Sequence, residues 1–288
     1  MPRRFDRVPP FIRRSSTVLA ATLAITMLAA AGTVAIPARN VATAVRLSAN
    51  EMTLVGAEDF NGTAYTAPNP LYWTYDLGGG GWGNNELQTY TNSSANVRLN
   101  GLGQMVIEAR KSGTSYTSAR VVTRGKVDFY YGLLEARIKF PEGQGLHPAV
   151  WMLGSNITSV GWPACGEIDT MELVNTGTVY HNAIHGPTAA NSAIPWKQSA
   201  DGAAGLDLAS DYHVYQVYRQ PGSMMIGIDG HVVGQYSKAT MPAGAQWVFD
   251  GPMYLTMNIA VGGEWPGPVS SGTVFPATML VDWIRFWQ

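Results

Sequence analysis

Three carboxylates crowd an otherwise apolar run: Glu167, Asp169 and Glu172 lie within Gly161-Trp-Pro-Ala-Cys-Gly-Glu-Ile-Asp-Thr-Met-Glu-Leu-Val174. Desolvating a charge is costly, so a run with buried character excludes acids unless they have work to do. A helix would scatter the three, because steps of about 100° carry offsets of two and five away from the first position. A strand gives Glu167 and Asp169 one face and sends Glu172 to the other, unless one residue bulges out and returns it. With that bulge the two glutamates stand ~13 Å apart at Cα. Long side chains leaning over Asp169 then close the gap to about 5 Å, the separation at which a nucleophile and a proton donor cleave a glycosidic bond with retention. The alternative is a carboxylate cluster paired with arginines on a sheet surface.

The elements around this run are short and β-rich. Leu134, Ala136, Ile138 and Phe140 share one face of a segment, and Glu135, Arg137 and Lys139 share the other. That is the pattern of a half-buried strand with a polar outer face. Tyr212 to Arg219 is a second such run, turned by Pro221-Gly222, and Met224 to Ile228 and His231 to Tyr236 flank Asp229-Gly230, a hairpin signal. No long stretch carries helical periodicity with caps. With 32 Gly and 17 Pro in 288 residues, the pattern predicts an all-β domain of two stacked antiparallel sheets. No linker, repeat or low-complexity break interrupts residues 45–288, which read as one domain.

Composition narrows the function. The chain is 46% hydrophobic and 14% charged with a net charge of −1, which suits a sizeable core and offers no electrostatic case for nucleic acid. Most of the nine Trp and thirteen Tyr belong to packing, yet sugar rings present apolar C–H faces that flat aromatic platforms can meet. Cys165 is the only cysteine, so no intramolecular disulfide can form; a small buried thiol is the expected role. Residues 1–44 read as an export signal. Arg3, Arg4, Arg7, Arg13 and Arg14 precede an uncharged, Ala-rich stretch from Ser15 to Ala38, and cleavage is expected after Ala42-Thr-Ala44 or at Ala35. An uncleaved anchor competes with this, because about 20 uncharged residues just span a bilayer. The expected location is secreted, extracellular or cell-envelope, with no stable membrane association once the signal is removed.

Gly166-Glu-Ile-Asp-Thr-Met-Glu172 resembles the catalytic signature of glycoside hydrolase family 16, in the bulged form of its laminarinase-like members. Trp82-Gly-Asn-Asn-Glu-Leu-Gln88, Gly132-Leu-Leu-Glu-Ala-Arg-Ile-Lys139, Pro148-Ala-Val-Trp-Met-Leu-Gly154, Phe249-Asp-Gly-Pro252, Ala260-Val-Gly-Gly-Glu-Trp-Pro-Gly267 and Met279-Leu-Val-Asp-Trp-Ile-Arg-Phe-Trp287 resemble it too, in the family's order. The resemblance implies a β-jelly-roll sandwich with a substrate groove across its concave sheet. It implies Glu167 as nucleophile, Glu172 as acid/base, and Asp169 between them as a hydrogen-bonding group that raises a neighbour's pKa. Trp151 and Trp162 would line the cleft, Arg137 would bond sugar hydroxyls, Asn84 would meet sugar at the non-reducing side, and Asn258 would lie on the groove floor. His185 would sit near the acid/base; with His181 it lacks a third ligand, so zinc is not expected. Glu58 and Asp282 would help hold a structural calcium, while catalysis itself would need no cofactor.

These expectations combine into a monomeric, retaining endo-β-glucan hydrolase acting on β-1,3-glucan of the laminarin type. Related chemistry on β-1,3-1,4-glucan or a galactan, transglycosylation, and non-catalytic glucan recognition remain the alternatives. Two positions depart from the family. His147 stands where relatives carry Trp before Pro-Ala, which changes stacking or packing near the glycone end. Glu264 stands where Asn is common before Trp-Pro-Gly, adding a charge expected at the opposite rim.

Overall fold

The computed structural model describes residues 46–288, so the export signal and its cleavage sites lie outside the described residues. In chain order the strands are β1 (Leu54–Glu58), β2 (Thr74–Asp76), β3 (Gln88–Tyr90), β4 (Val97–Leu99), β5 (Met105–Ser112), β6 (Ser115–Ser118), β7 (Arg120–Val122), β8 (Gly132–Lys139) and β9 (Leu146–Gly154). They continue as β10 (Glu167–Val174), β11 (Thr176–Pro187), β12 (Pro195–Ala203), β13 (His213–Gln220), β14 (Ser223–Ile228), β15 (His231–Ser237), β16 (Met253–Val261) and β17 (Ala277–Trp287). One helical turn, Ile157–Val160, interrupts them. Among the described residues no helix is long and apolar enough to cross a membrane.

The strands form two stacked sheets with jelly-roll architecture. The ten-stranded sheet runs β15-β14-β13-β8-β17-β5-β6-β3, with β1 also on β17 and β4 also on β5; the seven-stranded sheet runs β12-β11-β10-β9-β16-β7-β2. Local pattern carried much of this. In β8, Leu134, Ala136 and Ile138 are buried while Glu135, Arg137 and Lys139 are partly exposed. The β14–β15 hairpin turns through Asp229 and Gly230, both at positive φ, as two-residue hairpins require. The expectation of wholly antiparallel sheets fails at one pair, β3 with β6, which is parallel. Their connection passes through β4 and β5 and is long enough to return the chain in the same direction.

Between the sheets, Ile168, Met171 and Leu173 of β10 and Met152 of β9 belong to the same buried cluster as Leu134, Ile138, Val217 and Ile284 of the facing sheet. Arg219, near the end of β13, is 2% exposed and bonds to backbone rather than to a carboxylate. Its guanidinium donates to four carbonyls, of Phe129, Tyr130, Phe249 and Gly251, at 2.5–3.2 Å. Those bonds tie the segment before β8 to the segment before β16. The second segment bears on the site, because Val248 and Phe249 press against Gly166, the residue before Glu167. Gly166 has φ of 78°, and a Cβ there would stand 2.9 Å from Val248 Cγ2, so both backbone and space demand glycine.

Candidate active site

The three acids rise from β10, near the centre of the seven-stranded sheet. Glu167 pairs with Leu153 of β9 and His185 of β11, Asp169 with Trp151 and Ala183, and Glu172 with Ala149 and His181. The register slips between Asp169 and Met171 against β9, and between Asp169 and Glu172 against β11. This is the bulge that the Glu-x-Asp-x-x-Glu spacing needs. Ile168, Met171 and Leu173 turn into the inter-sheet core, which leaves Glu167, Asp169 and Glu172 together on the other face.

Each acid has its own partner. Trp162 Nε1 donates to Glu167 Oε2 at 2.7 Å. His185 Nε2 lies 3.1 Å from Asp169 Oδ2, and His147 Nε2 lies 2.9 Å from Glu172 Oε1. Asp169 is 3% exposed. Burial, then the charge of Asp169, pushes the Glu167 carboxyl up to about 8; burial, then the charge of Glu172, raises Asp169. The pair therefore holds a proton where isolated carboxyls would have lost theirs. His185 and His147 are both held above the usual imidazole value. Burial pulls each down, but Asp169 acting on His185 and Glu172 acting on His147 outweigh it.

A stability consequence follows from Glu167. A folded state that keeps a proton which the unfolded chain releases loses stability as pH rises, here between about 4.5 and about 8. Glu167→Gln, which cannot ionise, is expected to raise Tm, with the gain growing across that window. Melts of both proteins at pH 4.5 and pH 8 check it; an equal gain at both pH values would show that the Glu167 charge is not what destabilises the fold.

Around the acids the walls are aromatic. Trp151 Nε1 donates to Asn258 Oδ1 at 2.8 Å, and Asn258 Nδ2 donates to Tyr90 Oη at 3.0 Å. The Arg120 guanidinium lies over both Trp151, at 4.4 Å, and Trp82, at 5.0 Å, with Asp76 beside it at 3.3 Å. Trp162 and Trp265 are 49% and 42% exposed. Trp265 meets the rings of His147 and His181 edge-on at 5.1 and 4.9 Å. The Asn84 loop packs on the segment carrying Trp265: Glu264 N donates to Asn84 O at 2.9 Å, and Asn85 Nδ2 donates to Glu264 Oε1 at 2.6 Å.

The sequence-based expectations divide cleanly by sheet. Trp151, Trp162, His185 and Asn258 gather around the acids, and Asn84 lies on the loop beside Trp265. Arg137 does not. It belongs to β8 in the ten-stranded sheet, paired with Asp282 and stacked over Tyr212. Glu58 lies on β1 opposite Ile284, two residues along β17 from Asp282. Glu58 is largely buried, accepts the Phe60 N–H at 2.9 Å and lines a small pocket with Trp73, Val127 and Ile284, whereas Asp282 pairs with Arg137. Burial raises the Glu58 carboxyl above the usual carboxylate value. Among the described residues, the group of acids and histidines that could hold a metal is Glu167, Asp169 and His185, with donor atoms within 4.8 Å of one another; a cation there would occupy the acids themselves. His185 sits on Asp169, opposite Glu167, and it is His147 that reaches Glu172. Glu264 shares the Asn84 rim rather than the opposite one. Arg120, Trp82 and Trp265 went unsingled in the sequence, although Trp82 and Trp265 both lay in motifs that resemble the family.

The model of the family described as "Glycosyl hydrolases family 16" matches residues 83–285. A Rhodothermus marinus protein called beta-glucanase is 38% identical over 82% of this chain and 85% of its own length. A Niallia circulans protein called glucan endo-1,3-beta-glucosidase A1 is 32% identical over 82% of this chain, which spans only 38% of that longer protein. The X-ray structure of an endo-beta-1,3-glucanase from Pyrococcus furiosus superposes with a TM-score of 0.73 at 39% identity, covering 82% of this chain and 94% of that one. With two stacked sheets, a bulged strand of acids and a match across most of the chain, this protein belongs to glycosyl hydrolases family 16.

Proposed function

We propose that the protein is a secreted, monomeric, retaining endo-β-glucanase that cuts β-1,3-linked glucan by double displacement. Glu167 attacks the anomeric carbon as the glycosidic C–O bond breaks, and Glu172 gives its proton to the departing sugar oxygen. Water then attacks the glycosyl ester, Glu172 takes back a proton, and Glu167 leaves with the electrons of the ester bond. The proton held by the Glu167–Asp169 pair stays on Asp169 while Glu167 attacks. The Trp162 N–H stabilises the Glu167 carboxylate each time it reforms. No metal takes part in these steps.

One observation carries this reading: the bulge in β10 that turns both glutamates to one face, each with a different hydrogen-bond partner. The β-1,3-glucan substrate rests on the names of the relatives, two of which specify that linkage. Purified protein should release oligosaccharides of mixed length from laminarin, and proton NMR of early hydrolysis should show the β-anomer first. An α-anomer appearing first overturns retention. Cleavage of lichenan, agarose or galactan with laminarin left intact overturns the linkage, and no cleavage of any of them favours glucan recognition without catalysis.

A further inference from the structure

His147 is bonded directly to Glu172, and its surroundings say what it does there. It lies on β9 two residues from Ala149, the strand partner of Glu172, so both side chains stand on the same face. Each is 12% exposed at the side chain. The ring makes one hydrogen bond, Nε2 to Glu172 Oε1 at 2.9 Å. Its Nδ1 is buried with no hydrogen-bond partner. The ring is held by its edge contact with Trp265, and its single polar bond points at the acid. The charged groups bearing on it are Glu172 and Asp169 from β10 and Glu86 from the loop before β3.

We propose that His147 is a positioning residue for Glu172: by occupying Oε1 it leaves Oε2 as the oxygen that exchanges a proton with the glycosidic oxygen. This rests on Glu172 being the acid/base. A free carboxylate rotates about its last bond and offers either oxygen, whereas a fixed one keeps its proton in line with the leaving group.

The test uses leaving-group dependence and a double-mutant cycle on the full protein. His147→Phe keeps a ring against Trp265 and removes the nitrogen. Its kcat on laminarin is expected to fall roughly ten- to hundredfold, the range for losing a hydrogen bond to a charged group, with KM within about twofold. A dinitrophenyl β-oligosaccharide, whose leaving oxygen needs no proton, should lose less than about threefold in the same variant. In a Glu172→Gln background, His147→Phe should cost less than about twofold more, since a positioning residue has nothing left to position. His147→Gln, whose amide can donate to Glu172, should recover part of the loss and also serves if the phenylalanine variant folds poorly. Equal losses on both substrates, or a full additional loss in the Glu172→Gln background, overturn the proposal. If Glu172→Gln itself shows no leaving-group dependence, the acid/base assignment fails and His147 falls with it. If Glu172→Gln shows that dependence and His147→Phe does not, only the role of His147 fails.

Discussion

Glu167→Ala is expected to lose laminarin turnover by on the order of 10⁴-fold or more, and to regain part of it with sodium azide as an α-glycosyl azide. The loss is large because the nucleophile divides one difficult displacement into two easier ones. The anomer follows from geometry. With the carboxylate gone, azide enters from the same side, displaces an activated leaving group once, and inverts the β-linkage. Glu172→Ala should behave in the opposite sense. Removing acid/base help costs on the order of 10²–10⁴-fold, yet the glycosyl ester still forms from an activated substrate, and azide then attacks it from the β face to give a β-glycosyl azide. NMR of the two azide products checks both roles in one experiment. The same anomer from both variants, or near-native activity in Glu167→Ala, would remove the assignment.

The largest expected effect on stability lies far from the acids. Arg219→Met should destabilise the fold by about 3–5 kcal/mol, the scale for deleting a buried charged donor and stranding its partners. Four carbonyls each lose a guanidinium donor at once, Phe129 O alone keeping the Met253 N–H, and a methionine of similar length supplies none. Burial draws Arg219 down to about 10, so it is charged at neutral pH and its bonds are charge-assisted. Arg219→Lys should recover little, because an ammonium cannot span four acceptors as a planar fork does. Urea denaturation monitored by Trp fluorescence measures it; a midpoint shift worth less than about 1 kcal/mol would show that water replaces the guanidinium at those carbonyls.

Much of the architecture was legible because it is local. Alternation assigned the two faces of β8, Asp229-Gly230 marked its hairpin, and the spacing of Glu167, Asp169 and Glu172 demanded a bulge that β10 contains. What escaped depends on which strands meet. The polar face of Arg137 was read correctly, but β8 lies between β13 and β17, and no local pattern says that its sheet is the one without the acids. The inward burial of Glu58 was hidden for the same reason, since its neighbours on β17 lie more than two hundred residues away in sequence. The bond from His147 to Glu172 requires the pairing of β9 with β10, after which face parity supplies it directly. The parallel pairing of β3 with β6 had no sequence signal, because strands of three and four residues are too short to show a period.

Cys165 gives the molecule a use beyond its chemistry. Its thiol is 2% exposed, and burial pushes it up to about 11, so at neutral pH it is both shielded and protonated, the state that resists alkylation. It is also the only thiol in the chain. A cysteine introduced at Val274, which is 76% exposed, would then be the sole reactive sulfur, and a maleimide dye or spin label would attach there alone without first deleting the native residue. Folding is equally indifferent to the redox state of the compartment, so such labelled protein can be produced in a reducing cytoplasm with no disulfide to reform.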